Sequence, residues 1–102
     1  MYPPKKNRAV VAVADWNVDL MSAIVRRTPF FPPAIFRTAG MLSNWETLGN
    51  KGIRGTHGKR YIDGVFSRAN GWLRFKDHQV IDLTSDHRAL LVRMTLAVAT
   101  PG

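Results

Sequence analysis

The chain predicts a small α/β (α+β) domain: a single mixed, mainly antiparallel sheet with helices on one face. Three observations carry that expectation. At 102 residues the chain has the length of one domain. With 45% hydrophobic and 22% charged residues it has a globular rather than a disordered composition. Its apolar patterns run strand, helix, helix, then several strands, which suits one sheet covered by helices on one side.

Residues 1–8, Met-Tyr-Pro-Pro-Lys-Lys-Asn-Arg, read as a flexible basic arm, with Pro3 and Pro4 blocking regular structure. The domain follows over residues 9–98, and 99–102 form a tail. Ala9 to Ala14 is a short continuous apolar run, the pattern of a strand buried on both faces. Asn17 or Asp19 then caps a helix through about Arg27, with Leu20, Met21, Ile24 and Val25 on one side. Arg26 and Arg27 sit at the favourable end of its dipole. Pro29, Pro32 and Pro33 mark a turn, and a second helix runs from about Pro33 to Ala39, with Gly40 at its exit.

Ser43 to Leu48 reads as a short strand or extended segment around Trp45. Gly49 to Gly58, with four glycines, reads as a loop. Its basic residues suit either a phosphate-contacting loop or a plain surface hairpin. Tyr61 to Ser67 is a strand, Asn70-Gly71 a turn, and Trp72–Phe75 and Gln79–Leu83 two short extended pieces. Ala89 to Val98 is a long apolar strand interrupted by Arg93 and Thr95.

The chain has no cysteine, which excludes a disulfide framework and thiolate metal sites and fits a reducing compartment. No apolar run is long enough to span a bilayer. The apolar stretch after the basic start stops at Asp15, too early for a signal peptide. A cytoplasmic protein without membrane contact is expected. The formal net charge of +8, from 15 basic and 7 acidic residues, speeds encounter with polyanions. Nucleic acid, DNA or RNA, is the default partner, because phosphate contacts supply most non-specific affinity. Arg54, Lys59, Arg60 and Arg88 are the candidate nucleic-acid contacts.

Three polar insertions interrupt the apolar runs. Asp15 and Asn17 follow the first strand, at the end where open α/β sheets bind ligands, although such residues also make ordinary turns and caps. Asp63 stands within a strand and must face solvent or a partner. Asp86 and His87 precede the last strand, where one side chain can hold a metal and the next move a proton.

Read together as Ala14-Asp15-Trp16-Asn17, Arg60-Tyr61-Ile62-Asp63 and Ser85-Asp86-His87, these segments resemble the endonuclease/exonuclease/phosphatase superfamily, the DNase I-like fold. That family carries Gly-Asp-x-Asn after a strand, Arg-x-Asp-Tyr or Arg-Ile-Asp in a later strand, and Ser-Asp-His before the last. Thr56 also matches a threonine often found before the second motif. The resemblance covers roughly residues 9–95, and the ordered set is far more specific than any one motif.

The resemblance implies phosphodiester hydrolysis with Mg²⁺ or Mn²⁺. His87 is implied as general acid or base, with Asp63 orienting it. Asp86 and Asp15 are implied to bind or support the cation, Asp15 also to orient the attacking water, and Asn17 to hold a phosphate oxygen. Family members are more than twice as long and pack two similar halves as a four-layer sandwich. This chain matches the C-terminal half only. The Glu metal ligand of the other half has no counterpart, since Glu46 falls after Asp15 in the wrong order. Ala14 replaces the motif's Gly, and Gly64 stands where a Tyr follows the Asp. Half a sandwich exposes one apolar sheet face, which a homodimer or a partner chain is expected to cover. The alternative expectation is a catalytically weak or inactive nuclease-derived module that binds nucleic acid or a protein partner.

Overall fold

The computed structural model describes residues 9–68, 73–83 and 85–96. The basic arm, the Asn70-Gly71 turn and the tail lie outside the described residues. The chain is mixed α/β, but the single expected sheet is two antiparallel sheets among the described residues. One has the order β1 (Val11–Asp15), β3 (Asp63–Arg68), β2 (Met41–Ser43). The other pairs β4 (Leu73–Ile81) with β5 (Ala89–Leu96).

Strand β1 is not buried on both faces. Its exposure alternates, and Val11 and Val13 remain 40% and 70% exposed. Val11, Val13 and Asp15 share a face with their cross-strand partners Ser67, Val65 and Asp63. The opposite face, with Ala12 paired to Phe66, meets the helices.

The first helix, α1 (Ala23–Arg27), starts later than expected, because Ser22 rather than Asn17 or Asp19 caps it. Asp19 is engaged elsewhere: its Oδ1 accepts the backbone N–H groups of Met21 and Tyr61. Helix α2 (Pro32–Thr38) begins with two prolines, which need no hydrogen-bond acceptor in a first turn. Its Phe36 stacks on Phe66 at 4.4 Å, and the Trp16 ring meets both edge-on at 5.2 Å. Leu20, Met41, Trp45, Tyr61 and Phe66 form the buried core.

The expected strand at Ser43–Leu48 is instead α3 (Asn44–Leu48). Ser43 and Glu46 form a reciprocal capping box, each side chain accepting the other's backbone N–H. The two extended pieces expected around Lys76–His78 are one strand, β4, with an irregularity between Phe75 and Asp77. Asp77 pairs with Arg93 across the hairpin, so polar residues that read as a break are accommodated by the partner strand.

A buried asparagine and a half-buried histidine join the layers. Asn44 Oδ1 accepts the Val65 N–H at 2.9 Å, while its amide lies 2.9 Å from His78 Nδ1 on β4. His78 also packs against the Trp45 ring, 4.6 Å between centroids. No helix among the described residues is long and apolar enough to cross a membrane.

Candidate active site

Asp15 ends β1, Asp63 begins β3, and the register makes them direct cross-strand partners. Two carboxylates in that relation repel, so the sheet alone gives no reason for the pair. The compensating group comes from the other sheet. His87 lies in the connection between β4 and β5, with Nδ1 2.9 Å from Asp63 Oδ2 and Nε2 3.7 Å from Asp15 Oδ2. An ionised carboxylate only accepts, so Nδ1 carries the proton toward Asp63 and Nε2 is left facing Asp15. The three residues offer ligating atoms within 4.8 Å of one another.

The surrounding chain holds each member in place. Thr56 is fully buried, and its Oγ1 accepts the N–H groups of Ile62 and Asp63, both at 3.1 Å. Trp45 Nε1 donates to the Asp63 carbonyl at 2.9 Å, and Trp16 Nε1 to that of Gly64 at 3.0 Å. A Cβ at Gly64 would stand 2.5 Å from Leu20 Cδ1, so a side chain there requires Leu20 to shift. On the first strand, Asp15 Oδ1 accepts the Asn17 N–H at 2.9 Å, which leaves Oδ2 toward His87. Asn17 itself is exposed, in a left-handed turn at φ 59°. In the 82–88 connection, Ser85 Oγ accepts the His87 N–H and donates to its carbonyl.

The structure therefore brings together Asp15, Asp63 and His87. Asp86 is exposed and stands outside that group, although its charge still bears on His87. Glu46 is committed to the α3 capping box and to Arg37, at 3.0 Å, consistent with its exclusion as a metal ligand. Arg54, Lys59 and Arg60 are exposed on the loop beside the site. Arg88 is half-buried and donates to the carbonyls of Gly55 and Gly58 and to Asp82. With its backbone N–H on the Thr56 carbonyl at 2.8 Å, it also braces the loop.

His57 is a neighbour that the sequence did not single out. Its ring lies 4.8 Å from that of His87, and its Nδ1 lies 3.5 Å from Arg60 Nη2. A lone histidine in a glycine-rich loop carries no signal of this contact, which arises only when the loop packs beside the 82–88 connection.

The hydrogen bond from His87 to Asp63 raises the His87 pKa above the usual 6.5, and the charges of Asp63, Asp15 and Asp86 add to the effect. The linkage sign follows. The pairing stabilises the fold fully below pH 6.5, and that contribution is lost as pH rises through the higher folded-state value. Asp63→Asn is expected to lower the His87 pKa, read by NMR titration of the ring protons in the presence of a chelator. An unchanged titration in that variant would refute Asp63 as the main cause.

Compared with protein-family models, curated proteins and solved structures, the chain matches none of them.

Proposed function

We propose that the chain is a divalent-metal-dependent phosphodiesterase domain of nuclease type, half of a DNase I-like sandwich, acting on DNA or RNA. The observation that carries this reading is His87 suspended between two cross-strand carboxylates, 2.9 Å from Asp63 and 3.7 Å from Asp15. A histidine backed by a carboxylate through one nitrogen and open at the other is a base with its orienter. His87 Nε2 takes the proton of the attacking water, Asp63 holds the tautomer, and Asp15 orients the water. Asn17, on the turn after β1, meets a phosphate oxygen.

Asp15 offers a solvent-accessible carboxylate of the kind that holds Mg²⁺ or Mn²⁺ beside substrate phosphate, and Asp86, outside the Asp15–Asp63–His87 group, adds negative charge nearby. When bound, that ion supplies Lewis-acid stabilisation of the charge developing on phosphate. Arg54, Lys59 and Arg60 give the nucleic-acid backbone a basic loop beside the site, with the overall charge of +8 aiding encounter.

The test is plasmid and RNA cleavage with Mg²⁺ or Mn²⁺. His87→Ala is expected to lower the rate about 10²–10⁴-fold, and Asp15→Ala to lower it as well. Cleavage unchanged in both variants would sink the assignment. Retained nucleic-acid binding with no cleavage in the parent chain would favour a binding module instead.

Val11 and Val13 leave an apolar strip on the face that ends at Asp15. A second copy or a partner chain covering that strip would stand beside Asp15, where a further ligand is needed. Light scattering across a concentration series is expected to show dimer for the purified chain alone. A monomer at every concentration rules out the homodimer.

A further inference from the structure

We propose that the Asp63–His87–Asp15 array is also a site for Zn²⁺, and that zinc silences the Mg²⁺- or Mn²⁺-dependent reaction by occupying the nitrogen that the reaction needs. The inhibitory half of this proposal rests on the function proposed above. The binding half stands on geometry alone.

A metal-bound histidine almost always gives its other ring N–H to a carboxylate, which fixes the tautomer and raises the basicity of the ligating nitrogen. His87 is arranged in that way before any metal arrives. Its Nδ1 is 2.9 Å from Asp63 Oδ2, and Nε2 faces a second carboxylate. The gap between His87 Nε2 and Asp15 Oδ2 is 3.7 Å. Two ligands on one zinc, each at about 2.1 Å and set at tetrahedral to trigonal angles, lie about 3.4–3.6 Å apart. The gap is thus close to the width that one ion bridges. Side-chain exposure of 39% for His87 and 45% for Asp15 leaves water free to complete the shell. Such a site is open, unlike the closed four-ligand sites that serve structure.

Charge and donor type choose the ion. The facing carboxylates repel, and a divalent cation between Asp15 and His87 relieves that repulsion. An imidazole ligand suits zinc, whereas Mg²⁺ takes oxygen donors and keeps its waters. Magnesium can therefore be held at Asp15 and by its own waters while His87 Nε2 stays free, but zinc cannot. The two occupancies exclude each other at Asp15, and zinc removes the base as well.

The experiment is a Zn²⁺ titration of the full chain, followed by calorimetry and by long-range ¹H–¹⁵N spectra of the histidine rings, with Mg²⁺ as comparison. Zn²⁺ is expected to shift His87 Nε2 while Nδ1 stays protonated, and Mg²⁺ to move neither. Asp63→Asn is expected to weaken Zn²⁺ about 10–100-fold, and His87→Gln to abolish the signal while the amide spectrum remains that of the folded chain. Zinc bound at His57 or His78 with His87 Nε2 unmoved overturns the proposal, as does an affinity unchanged in both variants. The two readings fail separately. A chain that binds zinc at His87 but cleaves no nucleic acid loses the proposed function and keeps the site. A chain that cleaves nucleic acid, yet neither binds zinc at His87 nor is inhibited by it, keeps the function and loses the site.

Discussion

Thr56→Val is expected to destabilise the fold by about 2–4 kcal/mol, because a buried and a part-buried backbone donor lose their acceptor, at about 1–3 kcal/mol for the buried one and less for the other. Valine has nearly the shape of threonine, so the substitution opens no cavity and removes little besides the oxygen. That oxygen, itself buried, accepts the N–H groups of Ile62, also buried, and of Asp63, part-buried. Against a total stability of about 5–15 kcal/mol for a domain, the loss is severe. It lowers the melting temperature by about 4–8 °C per kcal/mol. The carboxylate of Asp63 is displaced with its backbone, so any cleavage falls as well. Thr56→Ser keeps the acceptor and gives up one methyl group, about 0.8 kcal/mol. Melting temperatures that fall equally in the Val and Ser variants would show that packing, not the hydroxyl, is what Thr56 provides.

The second large effect is expected at Asn44. Its side chain serves Val65 on β3 through one atom and His78 on β4 through the other. Asn44→Ala leaves the Val65 donor and the His78 ring without that partner, a loss of about 2–5 kcal/mol. Burial already holds His78 below the usual histidine range. The sign is opposite to that of His87: stability linked to His78 is present above pH 6.5 and declines as pH falls toward the lower folded-state value. Amide hydrogen exchange in the variant is expected to accelerate most in β4 and β5, and least across the β1–β3 pairing. Uniform acceleration through both sheets would contradict Asn44 as their tie.

Much of this was legible in the chain because short-range chemistry decides it. The apolar runs at Val11–Ala14, Val65–Phe66 and Ala89–Val92 are strands, and Pro32-Pro33 opens a helix. The motifs placed Asp15, Asp63 and His87 in one site, and their side chains do meet. What failed depended on partners distant in sequence or on competing local signals. Trp45 suggested a strand, yet Ser43 and Glu46 spell a capping box that wins locally. Five residues are too few for helical periodicity to show. Lys76-Asp77-His78 read as a break, because nothing nearby reveals that Arg93 and Asn44 receive Asp77 and His78. The contacts of Arg88 with the Gly55 and Gly58 carbonyls leave no trace in the sequence, because those glycines lie 33 and 30 residues away.

The division into two sheets bears on how the site comes and goes. Asp15 and Asp63 belong to one sheet, while His87 rides on the connection of the other. Partial opening of the β4–β5 hairpin therefore dismantles the triad while the carboxylates remain in register. Docking of the hairpin and occupancy of the site are then a single linked equilibrium. On the metal-dependent function proposed above, a bound cation would clamp the hairpin by mass action, and a loosened hairpin would weaken the cation by the same factor. In that sense the Asn44–His78 contact would tune the affinity of a proposed centre that it never touches.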